Sequence, residues 1–290
     1  MKALLALAAA LVASVTGAAA TAPPLIAFSA EVAGNTDVYV AHIDGSGLTR
    51  VTTAPGADYD PSFSADRSHV AYRCQTGTSS DICIAPVAGG DVVDITNWPG
   101  DEWSPAWSPN GQWIAFYADH TDAGSLWLIH PDGTGAHRLV GGGEYPSWSP
   151  GGRWIAYADM PTRDIAIIHP DGTGKRLLAR SSAYDGPPSF SRNGRSVAFD
   201  SQRGFRHVRE YGIGPEFEIY VVTGRDRLLV RRVTHNYVED RFPDFGPDGY
   251  IVYSEGGQLW MAKAHGCDIQ QTSHGCLARA LPLHGSFPDW

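Results

Sequence analysis

Charge is scarce in this sequence, and positive charge is the scarcer sign. Only 18% of the 290 residues are charged, and 31 acids outnumber 22 lysines and arginines, so the formal net charge is −9 at pH 7. Nucleic acids and anionic membranes both favour a basic protein face, so neither is expected as a partner. The hydrophobic share of 43% excludes a disordered chain, and 33 glycines with 20 prolines exclude a mainly helical one. The composition therefore predicts an acidic, turn-rich, β-rich protein.

The common catalytic and metal-binding motifs are also missing from the sequence. It has no G-x-S-x-G turn for a serine nucleophile, no H-E-x-x-H pattern for zinc and no Walker loop for a nucleoside triphosphate. These absences favour a non-enzymatic protein. They leave one enzymatic alternative open, because a site assembled from carboxylates on several loops has no sequence signature.

Long apolar runs do not occur after the first twenty residues. Residues 3–15 form an uncharged apolar run, preceded by Lys2 and followed by three alanines that end at Ala20. The run is shorter than the roughly 20 residues needed to span a bilayer, and this order is typical of a secretory signal peptide. We expect residues 1–20 to be a signal peptide cleaved near Ala20. Residues 21–290 would then be a periplasmic or secreted protein without an integral membrane segment.

The sequence contains only four cysteines, which form two local pairs. Cys74 and Cys83 are nine residues apart, and so are Cys267 and Cys276. If each pair flanks a hairpin, its sulfur atoms can lie within bonding distance, and the pairs lack the C-x-x-C spacing of zinc sites. We predict two disulfides, in agreement with an exported protein.

Five segments share one pattern: a proline, an aromatic residue two positions later, a tight turn and an apolar strand. Most of the turns contain Asn-Gly or Asp-Gly, which accept the positive φ of a hairpin. The repeat prolines are spaced 44, 41, 42 and 55 residues apart, and a sixth follows 45 residues later. They are Pro61, Pro105, Pro146, Pro188, Pro243 and Pro288.

A period of about 40–45 residues with four short strands per unit predicts the blades of a β-propeller. The first unit begins at its second strand, Ile26-Ala-Phe28, and its missing Pro-x-aromatic strand occurs at the other end of the chain as Pro288-Asp289-Trp290. We therefore predict an all-β fold, a six-bladed β-propeller of four-stranded antiparallel blades, in which the N- and C-terminal strands share one blade. Such closure leaves no free sheet edge.

The motif P-x-[FW]-S-P-[DN]-G-x-x-[IV]-A-[FY], with its later D-G-[ST]-G turn, resembles the PD40 repeat of the TolB-type, WD40-like propellers and extends over residues 25–290. The resemblance implies an exported scaffold that binds a partner. The α/β domain that precedes the propeller in TolB itself is not expected in this chain. Propellers of this type also include lyases, so the resemblance does not exclude an enzyme.

An acid lies three residues before most repeat prolines, or two residues before Pro146. Because the first strand of a blade lines the channel of a propeller, these acids are expected to surround one mouth of it. Two interpretations stay open: each carboxylate caps its own loop, or together they bind a basic peptide or a structural Ca²⁺. No other cofactor is expected. The acids are Asp58, Glu102, Glu144, Asp185 and Asp240.

The spacing of 55 residues after Pro188 indicates an insertion at residues 201–216, between two strands of one blade. A loop longer than its counterparts is often functional, and Arg and Tyr are frequent interface anchors. The alternative is a solvated excursion without a role. The candidate binding residues are Arg203, Arg206, His207, Arg209 and Tyr211.

These observations predict a monomeric, exported, non-enzymatic propeller that binds a protein or peptide partner through its loop face and channel mouth. The alternative is a glycan- or peptide-processing enzyme of the lyase or hydrolase type, with a carboxylate or metal site at the channel mouth.

Overall fold

The computed structural model describes residues 22–119, 124–203, 217–224, 228–236, 238–264, 271–272, 275–276 and 278–290. These residues form six four-stranded antiparallel sheets, which stand around a central channel as the blades of a propeller. The predicted fold is confirmed. Helical structure in the described ranges is limited to one short 3-10 turn, Pro247–Gly249, and no helix there has the length and apolar character to cross a membrane.

The strands are numbered along the chain, and the blades are numbered from the N-terminus. The first blade contains β1 (Leu25–Val32), β2 (Asn35–His42) and β3 (Thr49–Arg50), and the second contains β4 (Asp58–Phe63), β5 (His69–Thr76), β6 (Ser79–Pro86) and β7 (Val93–Asp94). The third contains β8 (Glu102–Trp107), β9 (Ile114–Ala118), β10 (Ser125–Ile129) and β11 (His137–Gly141), and the fourth contains β12 (Gly143–Trp148), β13 (Ile155–Asp159), β14 (Asp164–Ile168) and β15 (Arg176–Ala179). The fifth contains β16 (Asp185–Phe190), β17 (Ser196–Ser201), β18 (Glu218–Thr223) and β19 (Leu229–Arg232). The sixth contains β20 (Asp240–Phe245), β21 (Tyr250–Glu255) and β22 (Gln258–Lys263), then the short pair β23 (Gln271–Thr272) and β24 (Gly275–Cys276), and its outer strand β25 (Arg279–His284). The last strand is β26 (Ser286–Asp289).

Strand β26 closes the ring by joining the first blade, whose order is β26-β1-β2-β3. It pairs antiparallel with β1 through Ala27 opposite Asp289 and Ser29 opposite Ser286. The inner strands β26, β4, β8, β12, β16 and β20 contact one another in that order around the channel. The predicted sharing of one blade by the two chain ends is therefore confirmed.

The antiparallel order gives the propeller two different faces. On the hairpin face, each inner strand except β26 turns into the second strand of its blade, as at Ser64–Arg67 between β4 and β5. On the connection face, the chain passes from one blade to the next inner strand, and β17 ends there at Ser201. The inner strands run from the connection face to the hairpin face.

One apolar cluster fills each of the six seams between neighbouring blades. Between the first two blades, for example, Val38 and Val40 of β2 pack against Val70 and Tyr72 of β5. The alternation of apolar residues along each strand places side chains in both of the flanking seams. The stability of the ring therefore depends on contacts between blades. The largest buried rings occupy the same repeat position, at Tyr72, Phe116, Tyr157, Phe199 and Tyr253.

The second blade contains the predicted disulfide between Cys74 of β5 and Cys83 of β6, whose Cα atoms are 5.8 Å apart. Both cysteines are buried in the seam with the first blade. The second predicted pair cannot be compared in the same way, because Cys267 and the side chain of Cys276 lie outside the described residues.

Candidate functional site

The channel widens on the hairpin face into a cavity of about 460 Å³. All six inner strands contribute to its wall, which combines prolines and aromatic rings with a few charged side chains. More of the exposed wall is polar than apolar, and a concave surface with convergent polar groups is typical of ligand sites. The charged residues on the wall are Asp60, Arg67, Arg192, Asp244 and Asp289.

A β-bulge in every inner strand turns the residue before the repeat proline towards the cavity. The pairing with the second strand shifts register at this point in all six blades. Five of the six residues have φ between 49° and 54°, a left-handed conformation that costs a non-glycine residue about 1–2 kcal/mol. Bulges commonly re-aim side chains next to binding sites. The residues are Asp60, Ser104, Tyr145, Pro187, Phe242 and Phe287.

In five of the six blades, the residue after the repeat proline forms a hydrogen bond to the next blade. In the second, fourth and fifth blades it is a serine, whose hydroxyl accepts the backbone N–H of the repeat aromatic in the following blade. The N···O distances are 3.0 Å at Ser62, 3.2 Å at Ser147 and 3.0 Å at Ser189. Asp244 accepts the N–H of Trp290 at 3.0 Å, and Asp289 accepts that of Phe63 at 2.8 Å. We call these five hydrogen bonds the latches; at the sixth position stands Ala106.

Asp244 and Asp289 lie on neighbouring inner strands and interact electrostatically. Burial raises the pKa of both carboxyls, and the charge of Asp244 raises the pKa of Asp289 further. The N–H donors of the latches and the guanidinium of Arg192 act in the opposite direction on both groups. The pair therefore binds a proton more readily than isolated aspartates do.

Four of the five charged side chains, all except Asp60, form one continuous arc of the cavity wall. Arg192 lies on the hairpin of the fifth blade, Asp244 on the sixth, Asp289 on the first and Arg67 on the hairpin of the second. We call these four residues the charged arc. Burial and the charge of Arg192 both lower the pKa of Arg67, whereas Asp289 and Asp244 raise it. The opposite half, from the third and fourth blades, presents mainly rings, at Trp107, Pro109, Tyr145, Trp148 and Pro150.

The five acids predicted from the sequence lie at the start of their inner strands, towards the connection face, and none of them lines the cavity. Asp58, Glu102, Asp185 and Asp240 are buried in the seams between blades, while Glu144 is partly exposed. Burial raises the pKa of Asp58 and Asp185 to about 6 and that of Glu102 to about 8, and it acts in the same direction on Glu144 and Asp240. A ligand would reach the four buried carboxylates only after the seams had opened.

Four of these acids face a second acid, which lies within the first three residues of the third strand of the preceding blade. In the seam between the second and third blades, Thr96 donates its hydroxyl to Asp81 at 3.3 Å and accepts the N–H of Ile82 at 2.9 Å. The charge of the second acid raises the pKa of the first in every pair. The second acids were missed in the sequence, although each begins an acid-apolar-x-apolar string. The pairs are Asp58 with Asp37, Glu102 with Asp81, Asp185 with Asp164, and Asp240 with Glu218.

Arg203, near the start of the insertion in the fifth blade, contacts one of these acids. Arg203 forms an ion pair with Asp185, and its guanidinium lies 4.9 Å from the ring centre of Phe199 and 5.5 Å from that of Tyr220. The Arg203 side chain is only 15% exposed, so its charge is used within the fold. The other candidates of this loop, Arg206, His207, Arg209 and Tyr211, lie outside the described residues.

No set of three His, Cys, Asp or Glu side chains in the described ranges is arranged to hold a metal ion. The five predicted acids belong to five different blades and are distributed over separate seams. Calcium binding by these acids stays a prediction.

Comparison with solved structures identifies the same architecture in proteins of low sequence identity. TolB from Acinetobacter baumannii superposes with a TM-score of 0.75 at 16% identity, over 92% of this chain and 66% of the other. This chain therefore spans less than two thirds of that protein's length. A TolB-type protein from Agrobacterium tumefaciens gives 0.66 at 16% identity, over 90% of each chain. An oligogalacturonate lyase in complex with manganese gives 0.56 at 12% identity, over 83% of this chain and 71% of the other.

Comparison of sequences finds fewer matches than comparison of structures. None of the curated protein sequences matches this chain. The family model of the TolB beta propeller domain, PD40, matches residues 26–211, which is more than half of the sequence. Because this match coincides with a six-bladed ring built from the same repeat, the chain belongs to the TolB β-propeller family.

Proposed function

We propose that this protein is an exported scaffold that binds a protein partner by admitting an extended peptide segment into the cavity on the hairpin face. The observation that carries the proposal is the cavity itself, which is bounded by six inner strands and open on one face of the ring. Aromatic rings and arginines, the residue types most often found at the centre of interfaces, lie on its wall at Tyr145, Trp148, Arg67 and Arg192.

The latches support this proposal because they hold the cavity wall in one shape. Each latch joins two neighbouring inner strands, and in five blades only the repeat proline separates the bulge residue from the latch residue. A site that is already ordered loses little conformational entropy when a partner binds. Export to the periplasm or beyond is part of the proposal, supported by the predicted signal peptide and the Cys74–Cys83 disulfide.

Partner capture with matched arginine variants tests the proposal. Arg192 lines the cavity, whereas Arg195 of the same hairpin is exposed and does not. The immobilised wild-type protein is expected to retain a partner from a periplasmic or secreted extract in a one-to-one ratio. Arg192→Ala should weaken this retention at least fivefold, about 1 kcal/mol, and Arg195→Ala should not. Equal retention by both variants would place the partner site elsewhere.

A second candidate is a carbohydrate lyase, favoured by two observations. The fold is shared with an oligogalacturonate lyase in complex with manganese, and burial raises the pKa of Asp60 on the cavity wall to about 6, a value suitable for proton transfer near neutral pH. The test is incubation with oligogalacturonate and Mn²⁺. Formation of an unsaturated product that is abolished in Asp60→Asn would support the lyase, and absence of product in the wild-type protein would eliminate it.

A further inference from the structure

Two of the five latches use the carboxylates of Asp244 and Asp289, although an uncharged side chain can accept the same hydrogen bond. Ser62, Ser147 and Ser189 accept the same backbone N–H in their blades without any charge. Asp244 and Asp289 place two acids side by side in a narrow channel, where burial and mutual repulsion disfavour their ionised forms. A costly group at a position where a neutral one performs the structural task indicates a second role.

Asp289 has hydrogen-bonding capacity left for a ligand. Both oxygens of Asp244 are occupied, Oδ1 by the hydroxyl of Ser189 at 2.5 Å and Oδ2 by the N–H of Trp290. Asp289 uses Oδ2 for Phe63, and its Oδ1 receives no hydrogen bond from the described residues. Asp244 and Asp289 are both partly exposed on the cavity wall. A cationic group in the cavity would favour the ionised form of this pair, so it can be held by Asp289, with the charge of Asp244 behind it.

The arginines at the two ends of the arc have unused donors. Arg67 donates one hydrogen bond, to the carbonyl of Leu25 at 3.1 Å, and lies 5.3 Å from the ring centre of Phe63. Arg192 donates none to any residue within the described ranges, and neither arginine forms an ion pair there. Because the two positive charges act on each other, they present a site for an anionic group at the mouth.

We propose that the charged arc selects an amphoteric peptide segment, in which a basic side chain binds Asp289 and a neighbouring carboxylate side chain binds Arg192 and Arg67. This inference rests on the proposed binding function and specifies the chemistry of the segment. Its uncharged residues lie against the ring-lined half of the wall, at Trp107 and Trp148.

The test is a titration with capped peptides that differ only in charge. The parent peptides place one Lys and one Glu in a Gly/Ser chain, in both orders and separated by zero to two serines. In three derivatives, Gln replaces the Lys, the Glu or both. The fluorescence of the protein reports binding, because Trp107, Trp148 and Trp290 line the cavity. We expect the best parent peptide to bind about tenfold more tightly than either single-charge derivative.

Variants of the arc separate the two charge preferences. Asp289→Asn keeps an oxygen for the N–H of Phe63 and should abolish the preference for Lys while the preference for Glu persists. Arg192→Ala should do the reverse, and Arg195→Ala should change neither. Asp289→Ser, which copies the other blades, provides a second variant if Asn perturbs the fold. Melting temperatures confirm that each variant is folded.

Two results would overturn the inference: equal affinity for the four peptides of every series, or no binding of any peptide at millimolar concentration. Equal weakening of all peptides by Asp289→Asn would assign that residue a structural role only, and would also contradict the inference. A partner captured through the cavity but indifferent to Asp289→Asn would leave the proposed function standing without the charge selection. If no partner were captured through the cavity and no peptide showed a charge preference, both the proposed function and this inference would be wrong.

Discussion

Replacing Glu102 with Gln is expected to raise the melting temperature at pH 8 and to leave it nearly unchanged at pH 4. Glu102 is fully buried beside Asp81, and burial together with that charge raises its pKa from 4.5 to about 8. The folded protein therefore favours the protonated carboxyl, and the stability that this gives is lost as the pH rises from about 4.5 through about 8. Gln stays neutral at every pH, and its amide can still donate to Asp81.

The size of the effect follows from the shift. With its raised pKa, the buried Glu102 carboxyl is expected to reduce the free energy of unfolding by about 2–4 kcal/mol at pH 8, after allowance for relaxation of the site. For a chain of this length the variant should melt roughly 5–10 °C higher than the wild type at pH 8. Thermal melting followed by circular dichroism at pH 4, 6 and 8 measures both the gain and its dependence on pH.

Asp66→Asn is the matched control, because it also removes one negative charge from this acidic protein. Asp66 is exposed, and hydrogen bonds from Ser64 and Ser68 lower its pKa. Its carboxylate therefore contributes stability above its unfolded pKa that is lost as the pH falls, so Asn should give no gain at pH 8. A lower melting temperature of Glu102→Gln at pH 8 would mean that the fold stabilises the ionised form of Glu102.

Much of the fold follows from the sequence because the repeat is encoded locally. The spacing of the prolines gives the number of blades, and the Asn-Gly turns give hairpins, as at Gly111 and Gly194 with φ of 73° and 66°. The fragment Pro288-Asp289-Trp290 indicates closure without any knowledge of long-range contacts. These signals depend on backbone conformations that one or two residues determine.

The sequence does not show in the same way whether the side chains of the predicted acids point into the channel or into the seams. Asp58 was expected to face the channel because it belongs to an inner strand, yet its side chain is buried in the seam against Asp37. The bulge after it changes which side chains face inwards, and Asp60 lines the cavity instead. A single register shift reverses the side of every later residue, and nothing in the local pattern marks the shift.

The charged arc was available to sequence reasoning, although it was overlooked. The residue between the repeat proline and the aromatic is Ser or Ala in four blades, and it is Asp only at Asp244 and Asp289. A departure from a repeat is informative, because the repeat shows which residue the structure alone requires. The arginines depart from the repeat as well. Arg67 has φ of 59° at the turn position that Gly111 and Gly194 occupy in other blades, and Arg192 stands at the position of Pro109 and Pro150.

Replacing Trp290 with Ala is expected to lower the free energy of unfolding by about 3–5 kcal/mol, the cost typical of truncating a buried aromatic side chain. Trp290 is 9% exposed and packs with Phe28, Leu281 and Leu283 in the seam between the sixth and first blades. Its ring lies directly over the backbone of Gly246, where an added Cβ would stand 2.4 Å from the ring. Chemical denaturation of the purified variant measures the loss.

Trp290→Phe separates ring packing from the indole N–H. The indole Nε1 is buried and has no hydrogen-bond partner among the described atoms, so exchanging it for a carbon removes an unsatisfied donor. We expect Phe to recover most of the stability that Ala loses. A Phe variant as unstable as the Ala variant would show that the indole nitrogen has a partner that stabilises the seam.

Phe245→Ala tests whether Trp290 also controls closure of the ring. Phe245 is the equivalent repeat aromatic in the sixth blade and is 5% exposed, so its truncation also removes a buried ring. Its strand, however, is linked to the second strand by a short hairpin, whereas β26 is held by two paired positions on β1, the latches of Asp244 and Asp289, and packing. Hydrogen exchange should therefore show faster opening of β26 and β1 in Trp290→Ala, while Phe245→Ala leaves them protected. If both variants released β26 equally, closure would depend on the ring as a whole, because the loss of either seam would then open the same blade.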